Sequence, residues 1–163
     1  MYELTTVEQQ QWRSIHRGVT RLLSRLDHDL EAHSGLSLSE YSVLTALAEG
    51  GEAGVRMTRL ADASMLSKSR LSHCVDRLVE SGLVARERVA GDKRGFAAQL
   101  TPAGFARLAA ASPAHFADVH RYLFEAATRD EIALIAKLSD VIAVTETRVL
   151  VNAGGGETID LTA

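Results

Sequence analysis

Between Met57 and Thr101 the hydrophobic pattern switches from helical spacing to strand alternation, and no other stretch narrows the fold as much. Thr58 is a suitable helix cap, and Leu60 and Ala61 supply the apolar side of a short helix that turns at Ser64-Met65-Leu66. Ser67 then caps a second helix in which Leu71, Cys74, Val75, Leu78 and Val79 recur at spacings of three and four, the signature of one buried stripe. Lys68, Ser69, Arg70, Ser72, His73 and Arg77 occupy its other faces, most of them in the first two turns. Gly82 ends that helix. Leu83 to Val89 forms a strand, Ala90 to Gly95 a turn with the tip Asp92-Lys93-Arg94-Gly95, and Phe96 to Leu100 the return strand, with Phe96, Ala98 and Leu100 on one face. Two helices across a tight turn, followed by a strand pair, make a winged helix-turn-helix, whose second helix carries hydrogen-bonding groups suited to a major groove.

Charge is distributed to match. The chain carries a net −3, yet Arg56 to Phe96 holds nine Lys/Arg against five Asp/Glu, a local +4. A basic module on an acidic body is expected of a protein that meets phosphates with one region only, and it argues against nonspecific coating of nucleic acid. Arg86 and Arg88 alternate with Glu87 and share a strand face. They either extend a phosphate track or form a solvated face.

The flanking segments are helical. Trp12, Ile15, Val19, Leu22, Leu23, Leu26 and Leu30 trace one apolar face of a long first helix ending near Ser34-Gly35. Ser37 or Ser39 caps a second, through Tyr41, Val43, Leu44 and Leu47, which stops at Gly50-Gly51. Thr101 caps and Pro102 starts another, with Phe105, Leu108, Phe116, Val119 and Leu123 on its apolar side and a kink or interruption expected at Pro113. A last helix from about Asp130 carries Ile132, Ile135, Leu138, Ile142 and Val149, more apolar surface than a terminal helix needs, which points to a dimer interface. With 163 residues, 46% of them hydrophobic, the chain has enough length and apolar content for a core. It has no apolar run near the roughly 20 residues of a membrane span and no signal-like start at Met1-Tyr2-Glu3-Leu4, so a cytoplasmic location is expected. The single cysteine fits a reducing compartment, and two prolines favour a mainly α chain.

In order and spacing, Ser67 to Gly82 (SKSRLSHCVDRLVESG), Leu83-Val84, Asp92-Lys93-Arg94 and Leu100-Thr101-Pro102-Ala103-Gly104 resemble the MarR family of bacterial regulators, and the resemblance covers nearly the whole chain. Met65 departs from it, standing where many such turns carry glycine. The resemblance implies a homodimer with intertwined terminal helices, recognition helices in successive major grooves, and a wing arginine in the minor groove. By matched position Arg94 is that arginine and Asp92 the carboxylate orienting it. Lys93 accompanies them at the tip, while Ser67, Lys68, Ser69, Arg70, Ser72, His73 and Arg77 face the major groove or its phosphates. The expected organisation is a dimerisation helix over 1–36, the winged helix-turn-helix over 37–101, dimerisation helices over 102–150 and a flexible tail over 151–163.

Cys74 lies on the buried stripe, where an inert thiol is the usual case rather than a redox sensor. His28 and His33 are five residues apart, as are His115 and His120, so neither pair converges on one helix face as metal ligands do, and no metal or cofactor is expected. Trp12 and His16, one turn apart, and Arg13 beside them are candidates for an aromatic or anionic effector, against a packing role in a dimer or core. Neither a phosphate loop nor a nucleophile elbow is present, so an enzyme is not expected. The expected function is a repressor that binds a pseudo-palindromic operator in duplex DNA and is released by a small effector. The rivals are a DNA-binding regulator without a ligand and a helical protein-interaction module that has lost DNA binding.

Overall fold

The computed structural model describes residues 3–51, 54–88 and 96–152. They form helices α1 (Thr6–Ser34), α2 (Leu38–Gly50), α3 (Met57–Ala63), α4 (Lys68–Glu80), α5 (Pro102–Val119) and α6 (Arg129–Asn152), with strands β1 (Val55–Arg56), β2 (Val84–Arg88) and β3 (Phe96–Leu100). Two compact units result, Met1–Val119 and His120–Ala163. The boundaries expected at 36/37 and 101/102 both fall inside the first unit. From residue 153 onward the expected tail lies outside the described residues, and Val151 and Asn152 belong to α6.

Helix α2 is the centre of the first unit. Tyr41, Val43, Leu44, Ala46 and Leu47 are all buried and only Ala48, Glu49 and Gly50 are exposed, so the helix is enclosed on most sides. It packs against α1, α3, α4, α5 and β3. Its start is pinned by a capping box, in which the Ser37 Oγ accepts from the Glu40 amide at 3.2 Å while the Glu40 carboxylate accepts from the Ser37 N–H at 2.8 Å. Asp27 on α1 accepts from the Leu38 amide at 2.7 Å and so joins the two helices.

The sheet has three strands rather than the expected two, in the antiparallel order β1-β3-β2. Strand β1 is two residues long, too short to show a period. Arg56, not Thr58, is the N-cap of α3, and Thr58 lies in the helix's first turn. Ser67 caps α4 as expected, accepting from the Arg70 amide at 3.3 Å.

Helix α5 is not interrupted at Pro113, and of its expected apolar side Leu108 packs against the core. It runs through Pro113 to Val119, where a π-helical turn (His120–Phe124) follows in the second unit. The proline removes one backbone hydrogen bond, but contacts from neighbouring helices hold the segment. Tyr41 Oη lies 3.1 Å from Ser112 Oγ, and Arg107 donates to the Ser34 carbonyl at 2.7 Å. Its buried side is Gly104, Ala111, His115 and Asp118, whereas Phe105 and Phe116 are 62% and 64% exposed. The approach at the helix start is too close for large side chains, because a Cβ on Gly104 would overlap the Leu83 carbonyl oxygen. That oxygen accepts from both the backbone N–H and the hydroxyl of Thr101, each at 3.1 Å, and the same hydroxyl oxygen accepts from the Gly104 amide at 3.0 Å.

We expect Gly104→Ala to destabilise the protein by about 1–3 kcal/mol, since the clash is with backbone and no rotamer relieves it. Thermal unfolding monitored by circular dichroism checks this, and an unchanged midpoint would contradict the close approach.

Candidate nucleic-acid interface

Helix α4 is divided cleanly between its faces. Leu71, Cys74, Val75 and Leu78 are buried, each 4% exposed or less. Val79, expected on that stripe, lies past its edge at 38% exposure. Ser67, Lys68, Ser69, Arg70, Ser72, His73 and Arg77 are all exposed. The first two turns therefore present a polar, cationic surface on a helix anchored from behind.

The turn leading into α4 uses a left-handed residue. At the end of α3 the Leu66 amide donates to the Ala61 carbonyl at 3.1 Å and the Met65 amide to that of Asp62 at 3.2 Å. Helix α4 ends in the same pattern, Leu83 to Leu78 and Gly82 to Val79, at 2.9 and 3.0 Å. This six-to-one and five-to-two pairing needs positive φ at the residue after the cap. Gly82 supplies it at +73°, but at the first turn Met65 adopts +55° with its side chain 88% exposed. The departure noted in the sequence leaves the turn geometry intact and places the cost in the backbone of Met65.

Two of the candidate arginines are engaged within the protein. Arg77 reaches the Glu40 carboxylate at 3.1 Å, so the residue that caps α2 also holds the last turn of α4. Arg86 pairs with Asp76 of α4 at 2.8 Å. Neither acidic partner was singled out from the sequence. Glu40 was visible there in the Ser37-x-x-Glu40 pattern, whereas the pairing of Asp76 depends on where β2 falls. Arg88 closes β2 opposite Phe96. Asp92, Lys93 and Arg94 lie outside the described residues.

The candidate effector residues stand on the N-terminal half of α1. Trp12 is 57% exposed, with its ring centroid 5.7 Å from that of His16, and Arg13 donates to Gln9 at 3.3 Å. A cleft of about 310 Å³ lies elsewhere, bounded by Tyr41, Thr45, Glu49, Met65 and His115. His115 is 9% exposed and packs on Tyr41 with ring centroids 4.5 Å apart, and its Nδ1 has no hydrogen-bond partner among the described residues. Burial holds its pKa below the ordinary 6.5, against the opposing pull of Asp118. Cys74 is the reverse case: burial first and Glu40 second, against Arg77, push its thiol up to about 11, leaving almost no reactive thiolate near neutrality. Among the described residues no three His, Cys, Asp or Glu side chains gather as a metal site, and no helix is long and apolar enough to cross a membrane.

This arrangement defines a winged helix-turn-helix protein, and comparison with known proteins agrees. The MarR family model matches residues 34–95. The structure of Sco3205, a MarR family transcriptional regulator from Streptomyces coelicolor solved in complex with DNA, superposes with a TM-score of 0.82 at 35% identity, covering 86% of this chain and 92% of that one. AbsC, a MarR family regulator from the same organism, gives a TM-score of 0.81 at 33% identity over 90% and 99% of the two chains. The HTH-type transcriptional repressor YetL of Bacillus subtilis is 27% identical over 120 residues, 72% of each chain. The chain belongs to the MarR family, a family of DNA-binding transcriptional regulators and not of enzymes.

Two outcomes are expected from these local features. Met65→Gly should raise stability by about 0.5–1 kcal/mol, the relieved left-handed strain less the added chain entropy of glycine, seen as a melting point about 2 °C higher. For His115, the folded state resists protonation, so its contribution is complete above pH 6.5 and is lost as pH falls below 6.5 toward the depressed folded value. Melting temperatures taken from pH 7.5 to 5 should therefore decline less in His115→Phe than in the unmodified protein, and parallel curves would refute the assignment.

Proposed function

We propose that the protein is a homodimer that reads a pseudo-palindromic operator in duplex DNA and represses transcription until a small aromatic or anionic effector releases it. The observation that carries this reading is the division of α4, with exposed donors over its first two turns and buried aliphatics behind them. Base-edge donors beside phosphate-neutralising cations are what groove recognition requires. In this reading Ser67, Lys68, Ser69, Arg70, Ser72 and His73 meet the major groove. Asp92, Lys93 and Arg94 act at the wing, with Arg94 in the minor groove and Asp92 orienting it.

Dimerisation is supported by apolar surface that the protomer leaves uncovered. On α1 Val7, Trp12, Ile15, Val19 and Leu23 are 49–63% exposed, and on α6 Leu134, Ile135, Leu138, Val141 and Ile142 are 50–67% exposed. Both are helical stripes of a kind proteins seldom leave to water. A second copy places two recognition helices in grooves roughly 34 Å apart. Repression follows the naming of YetL as a repressor. Trp12, Arg13 and His16 are the proposed effector contacts on α1, in a pocket completed by the second copy. An effector that prefers a dimer with misplaced recognition helices needs a coupling of only about 1–3 kcal/mol.

Selection of binding sites from a random duplex pool at two salt concentrations tests this directly. We expect an inverted repeat to be enriched at both. Failure to enrich any motif, or binding that vanishes with modest salt, would favour the protein-interaction rival. On the selected duplex, Arg70→Ala should cost roughly 1–3 kcal/mol and relax one position, while Arg94→Ala should abolish most of the affinity with dimerisation intact. Operator affinity unchanged by saturating aromatic acids would favour the regulator without a ligand.

A further inference from the structure

We propose that Arg86 is a positioning residue rather than a phosphate contact: through Asp76 it locks the wing strand β2 to the recognition helix α4, and this lock sets the register in which helix and wing meet DNA together. The inference rests on the DNA-reading function proposed above and goes beyond it by moving an exposed-looking arginine from the ligand side to the protein side.

The strand register supplies the first ground. Val84 pairs with Leu100 and Arg86 with Ala98, so these four residues share one face of the hairpin. Val84 and Ala98 are 2% and 0% exposed, which makes it the inward face. Arg86 thus starts from the packed side of the sheet. Its side chain borders an open cleft of about 290 Å³ with Met57, Lys68, Leu71, Ser72 and Phe96, and its guanidinium turns to α4, ending 2.8 Å from the Asp76 carboxylate. Geometry at the helix supplies the second ground. Asp76 and Arg77 are consecutive on α4 and reach to different elements, β2 and α2. The helix is held on two sides by side chains one residue apart, just beyond the turns that carry the reading groups. The pairing with Arg86 ties the Asp76 carboxylate of α4 to strand β2.

The test uses the selected operator duplex, a scrambled duplex of equal length, and the full chain carrying Asp76→Asn, Arg86→Gln or both. If Arg86 positions the wing, each single variant and the double lose the same factor of operator affinity, about tenfold, because all three remove one interaction. Affinity for the scrambled duplex and the slope of log K against log salt stay unchanged. Amide hydrogen exchange in residues 84–88 accelerates equally in all three without DNA, with α1 unaffected. If Arg86 instead contacts a phosphate, Arg86→Gln weakens both duplexes and lowers the salt slope by about one, while Asp76→Asn strengthens binding. A purely structural role would lower both affinities together with the melting temperature and would equally overturn the proposal. Arg86→Lys serves as the second variant if Arg86→Gln does not fold: it keeps the charge, so a phosphate contact retains its salt slope and most of its affinity, whereas the lock to Asp76 is weakened and specific affinity alone falls. Should the unmodified protein enrich no duplex, the DNA-reading function fails, and equal exchange in 84–88 with and without the ion pair is the separate result that sinks the lock.

Discussion

The enclosure of α2 is the constraint on which the rest of the first unit depends. A thirteen-residue helix with five buried side chains is stable only when other elements cover it, and here α1, α3, α4, α5 and β3 each cover part. Leu44 and Val43, both 0% exposed, belong to the core cluster. The recognition helix is thereby tied to the same core as the long first helix, through Leu71, Val75 and Leu78 on one side and Leu30 on the other. Helices α1 and α5 are therefore joined to α4 through packed side chains and not through a loose linker.

How far the sequence could be read follows from the range of each interaction. Helices with a strong period, α1 and α4, and caps next to their own helices, Ser67 and Thr101, are local properties and were readable residue by residue. Strand β1 was not, because two residues carry no alternation and its pairing with Ala97 and Ala98 is set more than forty positions away. The side of α5 that packs in the protomer is likewise not legible from hydrophobicity alone, since Leu108 meets the core while Phe105 and Phe116 stay exposed. At the start of that helix the backbone-to-backbone approach of Gly104 and Leu83 leaves room only for glycine, and farther along Ala111, His115 and Asp118 are inside.

For the interface itself, the identity of the exposed groups on α4 was accessible from the sequence, whereas their partnering was not. Lys68, Ser69, Arg70 and His73 stand on the face that periodicity assigned to them. Arg77, on the same helix, and Arg86, on β2, are instead paired, because Glu40 and Asp76 come within reach in three dimensions. Counting cations along a chain overestimates the charge available to a nucleic acid wherever such pairs form, and surface pairs of this kind add little stability of their own.

The split between the two faces of α4 also bears on how such a protein changes over time. The side chains facing outward from its first turns are exposed, so replacing them disturbs little of the packing, while the aliphatic stripe behind them and the glycine-close junction at Leu83 and Gly104 tolerate almost nothing. Duplicated copies of the gene are then free to drift toward new operators at a handful of codons, with the scaffold inherited unaltered, and a family of regulators with one architecture and many targets is the natural product of that asymmetry.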